Sequence, residues 1–92
     1  MGVKAGVSDL QMPAGKGIYG GICLEMKYED GTIQKSQKEF LRDMAAAGKY
    51  ACVCYGAEEA IKALEEYLRL GPGAVIAGEN PCIRKDGRVK KI

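Results

Sequence analysis

The sequence predicts an α/β fold in which helices flank a mixed β-sheet. Apolar runs of strand length alternate with two stretches of helical periodicity. One of these stretches is long enough to form the crossover that neighbouring parallel strands require. The 92 residues fit a single domain, residues 1–92, because two separate cores would each be too small to be stable.

The first two strand segments, 8–12 and 22–28, are separated by a glycine-rich stretch at 15–21 that predicts a β-hairpin. In the second segment, apolar residues at even positions alternate with Glu25 and Lys27 at odd positions. Successive side chains of a strand point to opposite faces of the sheet, so Glu25 and Lys27 are expected on the same face.

Two helices are predicted, over 33–47 and 57–70, with a central strand at 50–55 between them. The first helix should end at Gly48, and Gln37 lies within its apolar stripe. A polar side chain that faces a sheet needs a hydrogen-bond partner. Gln37 is therefore either a residue that meets polar groups on the sheet or one that bends out of the interface into water.

The C-terminal part predicts short strands at 74–77 and 82–92, after a break at 71–73. Asp86 and Gly87 form a typical hairpin-turn pair within the last segment.

Charge and cysteine content exclude several classes of protein. The four cysteines form no CxxC pair and the chain has no histidine, so structural zinc is not expected. They are read as small buried side chains of a reducing, cytoplasmic compartment. No apolar run is long enough to span a membrane. The net charge of +2 is too small to predict nucleic-acid binding by itself.

The basic residues are concentrated at the C-terminus, where five of the 14 fall between positions 84 and 92. This cluster is either a phosphate-binding patch or an ordinary solvated tail. We predict that the five C-terminal cations contact DNA, together with two cations elsewhere in the chain, Lys4 and Lys35. The C-terminal cations are Arg84, Lys85, Arg88, Lys90 and Lys91.

Asp9, Glu25 and Lys27 form a candidate catalytic group, because hairpin pairing can bring them together. Two close carboxylates repel each other unless a cation neutralises them, and oxygen ligands suit Mg²⁺ or Mn²⁺. The Met26 carbonyl could add a ligand. Such an ion can bind phosphate and activate water, while Lys27 orients that water or stabilises negative charge. The alternative to a catalytic role is that these residues form an ordinary pattern of alternating charges on a solvated sheet face.

Three motifs resemble those of the virus-type replication-repair nuclease (VRR-NUC) domains of the PD-(D/E)xK superfamily. They are GVSDL at 6–10, EMK at 25–27 and GTIQKSQ at 31–37. The resemblance covers a core of about residues 6–70, so that 71–92 form a C-terminal extension. It implies a restriction-endonuclease-like core.

The resemblance implies that Asp9 and Glu25 hold the metal, that Lys27 serves the attacking water and that Gln37 is the family's motif glutamine. The implied reaction is phosphodiester hydrolysis. Small stand-alone members occur in phages and bacteria, form homodimers and are similar to Holliday-junction resolvases. The expected substrate is therefore junction or flap DNA, cut by a homodimer in DNA replication or repair.

The sequence departs from the family at three places. Ser8 replaces a common proline and Gln34 a common serine, and neither change removes a catalytic atom. The residues before Gly6 are too few for the family's usual N-terminal helix, which carries another acidic residue. Either a second metal ligand is then absent, or Glu79 and Asp86 of the extension take over part of its role.

Two other functions compete with the nuclease. One is a catalytically weak module that binds DNA junctions through its basic tail. The other is a phage accessory or interaction protein, in which the candidate catalytic group is an ordinary surface ion-pair cluster.

Overall fold

The structure is a computed structural model, and it describes residues 10–92. Within this range five strands form one mixed sheet and two helices lie against it, which confirms the predicted fold class. The elements are β1 (Leu10–Met12), β2 (Ile22–Lys27), α1 (Lys35–Ala46), β3 (Tyr50–Tyr55), α2 (Ala57–Leu68), β4 (Cys82–Lys85) and β5 (Arg88–Lys91). The strands lie in the order β1-β2-β3-β4-β5; β2, β3 and β4 run parallel, and the outer pairs are antiparallel.

Each face of the sheet is covered by one helix. Even-numbered residues of β2, such as Leu24, lie under α2, whereas odd-numbered residues, such as Cys23, lie under α1. We call these the α2 face and the α1 face. The buried core of the α2 face consists of Tyr19, Ile22, Leu24, Tyr50, Cys52, Cys54, Ala60, Ala63, Tyr67, Ile76 and Cys82. That of the α1 face consists of Cys23, Ile33, Leu41, Ala51 and Val53.

The two central strands, β2 and β3, are largely buried because each lies between two other strands and has apolar side chains packed on both of its faces. Their parallel register pairs Ile22 with Tyr50 at one end and Lys27 with Tyr55 at the other. A further hydrogen bond of 2.9 Å, from the Gly56 N–H to the Lys27 carbonyl, fixes the end of β2 to the chain that follows β3. The carboxyl ends of the parallel strands therefore meet along one edge of the sheet.

Helix α1 begins two residues later than predicted, at Lys35. Gln34 keeps an extended backbone (φ −75°, ψ 156°) as the N-cap, and Ile33 is buried just before the helix. The predicted stop at Gly48 is confirmed. This glycine has a backbone φ of 92°, a value that residues other than glycine rarely adopt. Its N–H donates to the Ala45 carbonyl at 3.0 Å.

The predicted C-terminal hairpin is confirmed, whereas the prediction of a strand at 74–77 is wrong. Asp86 and Gly87 both have positive φ, 52° and 74°, as a two-residue hairpin turn requires. Residues 74–77 are irregular because their backbone bonds to the loop before β2 instead of to a strand. The Ala74 carbonyl accepts from the Ile18 N–H at 3.1 Å.

Helices α1 and α2 are each 12 residues long. No helix within residues 10–92 has the length and apolar character needed to cross a bilayer.

Candidate active site

Glu25 and Lys27 lie at the carboxyl end of β2. Glu25 is 5% exposed and pairs with Val53 in the ladder to β3, while Lys27 is partly exposed and pairs with Tyr55. The side chains alternate along this regular strand, so both project onto the α1 face, as predicted. The structure thus brings an acidic and a basic group together at the edge where three parallel strands end.

Two predicted site residues, Asp9 and Lys4, lie outside the described residues. The nearest described neighbour of Asp9 in the sequence is Leu10, which pairs with Leu24 in the antiparallel ladder between β1 and β2. Leu24 directly precedes Glu25. The predicted pairing of the first two strands is therefore present in the residues that the structure describes.

Basic side chains form a row across the same edge of the sheet. Lys27 pairs with Tyr55, the Lys85 Nζ lies 4.8 Å from the centre of the Tyr55 ring, and Lys85 pairs with Arg88. We call Lys27, Tyr55, Lys85 and Arg88 the basic row. It lies on the α1 face and flanks Glu25, so an anionic ligand held by the row would contact the sheet next to this carboxylate.

The remaining predicted DNA contacts fall on both faces. Lys90 pairs with Ile83 and so shares the α1 face with the basic row, whereas Lys91 pairs with Cys82 and lies on the α2 face. Lys35 is exposed at the first residue of α1. Register therefore places Lys91 on the opposite face of the sheet from Lys85, Arg88 and Lys90.

The prediction that Arg84 contacts DNA is wrong. Its side chain is 3% exposed on the α2 face, where it donates to Glu66 Oε2 at 2.6 Å and to Tyr50 Oη at 3.0 Å. Burial alone would lower the pKa of Arg84, but the hydrogen bonds to Glu66 and Tyr50 outweigh it and raise the pKa above its ordinary value. Arg84 thus links β4 to α2 through its ion pair with Glu66, and the alternation of side chains along β4 places it in the interior.

Gln37 occupies the first turn of α1 and is partly buried. Its Oε1 accepts a hydrogen bond of 3.0 Å from the Gln34 N–H, so this half of the amide closes the N-terminus of the helix. Its Nε2 is the half that can donate to another group.

Tyr55 is a member of the site that sequence reasoning missed. Its hydroxyl donates to the Gly31 carbonyl at 2.7 Å, and Lys85, which lies over its ring, is 3.7 Å from Asp30. The sequence predicted that the strands containing Lys27 and Tyr55 could lie parallel. The pairing of these two residues follows from the register of β2 with β3, which the sequence does not specify.

No protein-family model matches the chain, and no curated protein matches it significantly. Among solved structures it is similar to a VRR_NUC domain protein, with a TM-score of 0.73 and 32% sequence identity over 83% of this chain. The chain is therefore similar in structure and sequence to a VRR-NUC domain. It spans 65% of the length of the chain that it matches. The predicted resemblance to VRR-NUC domains is confirmed.

The nuclease superfamily to which VRR-NUC domains belong typically uses divalent metals. Among residues 10–92, no group of three or more histidine, cysteine, aspartate or glutamate side chains is close enough to hold a metal ion. Of the extension's two acidic residues, Glu79 is exposed, and Asp86 lines a cavity with Glu58 and Glu59 at the N-terminus of α2. Within this range the VRR-NUC-like domain offers one inward-facing carboxylate on the α1 face, that of Glu25.

A hard, oxygen-preferring ion such as Mg²⁺ or Mn²⁺ fits the donors that this site can present. Among the described residues these donors are the Glu25 carboxylate and the neighbouring Met26 carbonyl, whereas the predicted third donor, Asp9, lies outside the described residues. The cysteines are unsuited to such an ion, because soft thiolates select other metals. Burial also raises the pKa of the Cys23 thiol, the one cysteine on this face, which keeps it protonated.

Proposed function

We propose that this VRR-NUC-like domain is a metal-dependent nuclease that hydrolyses phosphodiester bonds of junction or flap DNA. The observation that carries the proposal is the placement of Glu25 and Lys27 on one sheet face, flanked by the basic row. A carboxylate next to cations, at the edge of a sheet with this fold, suits a phosphate ester that must be both bound and hydrolysed.

DNA would be held by its phosphates. Lys85 and Arg88 of the basic row present their charges on one side of the sheet, and Lys90 adds a third on the same face. Such contacts supply affinity and orientation without reading sequence, which agrees with recognition of a DNA structure. Lys35 and Lys4 are proposed as outlying contacts.

Asp9, Glu25 and the Met26 carbonyl would hold Mg²⁺ or Mn²⁺. Support for this set comes from the pairing of Leu10 with Leu24, since these residues adjoin Asp9 and Glu25 in the sequence. When bound, the ion would supply Lewis-acid stabilisation of the phosphate oxygens and lower the pKa of a water.

Lys27 would orient the attacking water and stabilise the negative charge that builds up on the phosphate. Its place two residues after Glu25 puts both side chains on the same face of the sheet. Gln37 would donate from Nε2 to the phosphate or the water, while its Oε1 closes the first turn of α1.

Junction cleavage requires two cuts in strands related by symmetry. A two-fold homodimer places two copies of the site in that relation, so we propose a homodimer as the active form. Its mass in solution is measurable by light scattering, with and without DNA.

The direct test incubates the purified chain with a four-way junction, a flap and linear duplex, each with Mg²⁺, Mn²⁺ or EDTA. We expect cleavage of branched DNA with metal, its loss in EDTA, and a loss of at least about 100-fold in Lys27→Ala. Equal cleavage by Lys27→Ala would contradict the proposal, since the activity would then come from another site or a contaminant.

A second candidate, a module that binds junctions with little catalysis, is favoured by one observation. Among residues 10–92, Glu25 does not belong to any group of three or more histidine, cysteine, aspartate or glutamate side chains that could hold a metal ion. In that case junction binding would fall steeply with salt, and no metal would restore cleavage.

A further inference from the structure

Lys27 occupies the last position of β2, where the sheet no longer confines its side chain on every side. A lysine has a flexible stem, and ordering it costs roughly 1.5–2 kcal/mol of rotamer entropy. A lysine that must place its ammonium beside a reacting phosphate therefore needs a wall along that stem.

The turn at residues 28–31 provides this wall. The Gly31 N–H donates to the Tyr28 carbonyl at 3.0 Å and closes the turn directly after Lys27. A Cβ atom built on Gly31 would lie 3.5 Å from Cδ and 3.6 Å from Cβ of Lys27, so the backbone of the turn passes close to the stem of the lysine. A shift of the turn would move that wall.

Tyr55 anchors the turn to the sheet. It pairs with Lys27 in the β2–β3 ladder, and its hydroxyl donates to the Gly31 carbonyl at 2.7 Å. Its ring lies 4.8 Å from the Lys85 ammonium, which is itself 3.7 Å from the Asp30 carboxylate in the same turn. One aromatic side chain thus connects the strand position of Lys27, the turn and a cation of the basic row.

We propose that Tyr55 is a positioning residue for Lys27. It acts through the turn: the hydroxyl holds Gly31, and Gly31 confines the lysine stem in the orientation that serves the reacting phosphate. This inference rests on the proposed nuclease function, in which Lys27 acts at the phosphate. In this proposal Tyr55 acts through the turn and not directly on the reacting atoms.

The test is the variant Tyr55→Phe, which removes the bond to Gly31 and keeps the ring under Lys85. Steady-state cleavage of the junction substrate should give a kcat about tenfold lower, with KM changed less than about twofold. The melting temperature should fall by no more than about 2 °C, because a partly exposed hydroxyl contributes little to stability.

The matched control is Tyr28→Phe. It also removes one hydroxyl from a tyrosine next to Lys27, but Tyr28 is 64% exposed, and its backbone carbonyl, not its side chain, closes the turn. Its kcat and KM should equal those of the wild-type chain.

Three results would overturn the inference. They are a wild-type kcat in Tyr55→Phe, a rise in KM with kcat unchanged, and a loss of kcat that merely follows the unfolded fraction. Failure of the proposed function is a separate result: wild-type protein would show no cleavage, or cleavage that does not depend on Lys27, and the inference would fail with it.

Discussion

The two faces of the sheet use similar residues for different purposes. Arg84 and Lys85 are consecutive in β4, yet Arg84 is buried on the α2 face and paired with Glu66. Lys85 is on the α1 face, its side chain is 42% exposed, and it lies over Tyr55. The same alternation puts Leu24 in the core and Glu25 in the candidate site. In these strands, alternation decides whether a charged residue lies in the core of the α2 face or in the candidate site of the α1 face.

The comparison gives a general expectation. Changes to the charged side chains on the α1 face should alter catalysis and DNA binding with little effect on stability, whereas a change to the pair that the buried Arg84 forms with Glu66 on the α2 face should do the opposite.

The largest effect is expected at Glu25. Glu25→Gln keeps the shape of the side chain but removes the charge that would bind the metal, so nuclease activity should fall at least about 100-fold. A thermal unfolding assay should show that Mn²⁺ raises the melting temperature of the wild-type chain and not that of Glu25→Gln, because a ligand stabilises the state that binds it.

Glu79→Gln is the control for this change, since Glu79 is an exposed carboxylate of the C-terminal part. It should keep both the activity and the Mn²⁺-dependent rise in melting temperature. If Glu25→Gln retained both as well, the metal would bind elsewhere and the α1 face would lose its proposed role.

On the α2 face, Glu66→Ala should destabilise the fold by about 2 kcal/mol and lower the melting temperature by roughly 10 °C. It leaves the buried Arg84 guanidinium with Tyr50 as its remaining side-chain acceptor. The estimate is kept below the cost of a fully buried pair, because the Glu66 side chain is 49% exposed. Activity below the unfolding transition should be unchanged.

Glu65→Ala provides the matched comparison on the same helix, because Glu65 is exposed next to Glu66. Its melting temperature should stay within about 2 °C of the wild-type value. A similar fall in the melting temperature of both variants would show that α2 is sensitive to any loss of charge. The contact of Glu66 with Arg84 would then not account for the destabilisation.

The fold was largely predictable because its signals are local. The apolar run at 50–55 and the Asp86-Gly87 turn each specify their structure within a few residues, and both were correctly placed. The segment 74–77 was not, because its apolar residues also suit a strand. Tertiary hydrogen bonds to the loop before β2 decide its irregular course.

The site was predictable only in part. The alternation within β2 was enough to place Glu25 and Lys27 together. The burial of Arg84 and the contacts of Tyr55 depend on which strand lies beside which, and a single basic or aromatic letter does not carry that information. The distinction between Lys90 and Lys91 also needs the register of β4 with β5.

Stability should fall as the pH rises above about 9. Burial raises the pKa of the Cys82 thiol and of the Tyr50 hydroxyl, and the Cys52 pKa is raised well above its ordinary 9.0 by its hydrogen bond to Cys54 and by burial. The unfolded chain therefore loses these protons first, and above pH 9 each raised thiol removes up to about 1.4 kcal/mol of stability per pH unit until the pH reaches its pKa in the folded state. Thermal unfolding between pH 7 and 10.5 measures this slope.

Below pH 8 the thiols should contribute no slope, because they are protonated in both states. Cys52→Ala tests the assignment, since it should reduce the alkaline slope while lowering stability at neutral pH by removing buried contacts. A slope that Cys52→Ala leaves unchanged would assign the alkaline unfolding to other groups.

The smallest expected effect separates two adjacent lysines. Lys90 shares the α1 face with the basic row and Lys91 lies on the α2 face, although both are exposed on β5. Lys90→Gln should weaken binding of a labelled four-way junction by a few-fold in metal-free buffer. It should also reduce the slope of log affinity against log salt by about 0.9, the value for one lost phosphate contact. Lys91→Gln carries the same change in net charge and should alter neither quantity. Equal losses in the two variants would mean that total charge, and not the face of the sheet, governs DNA binding.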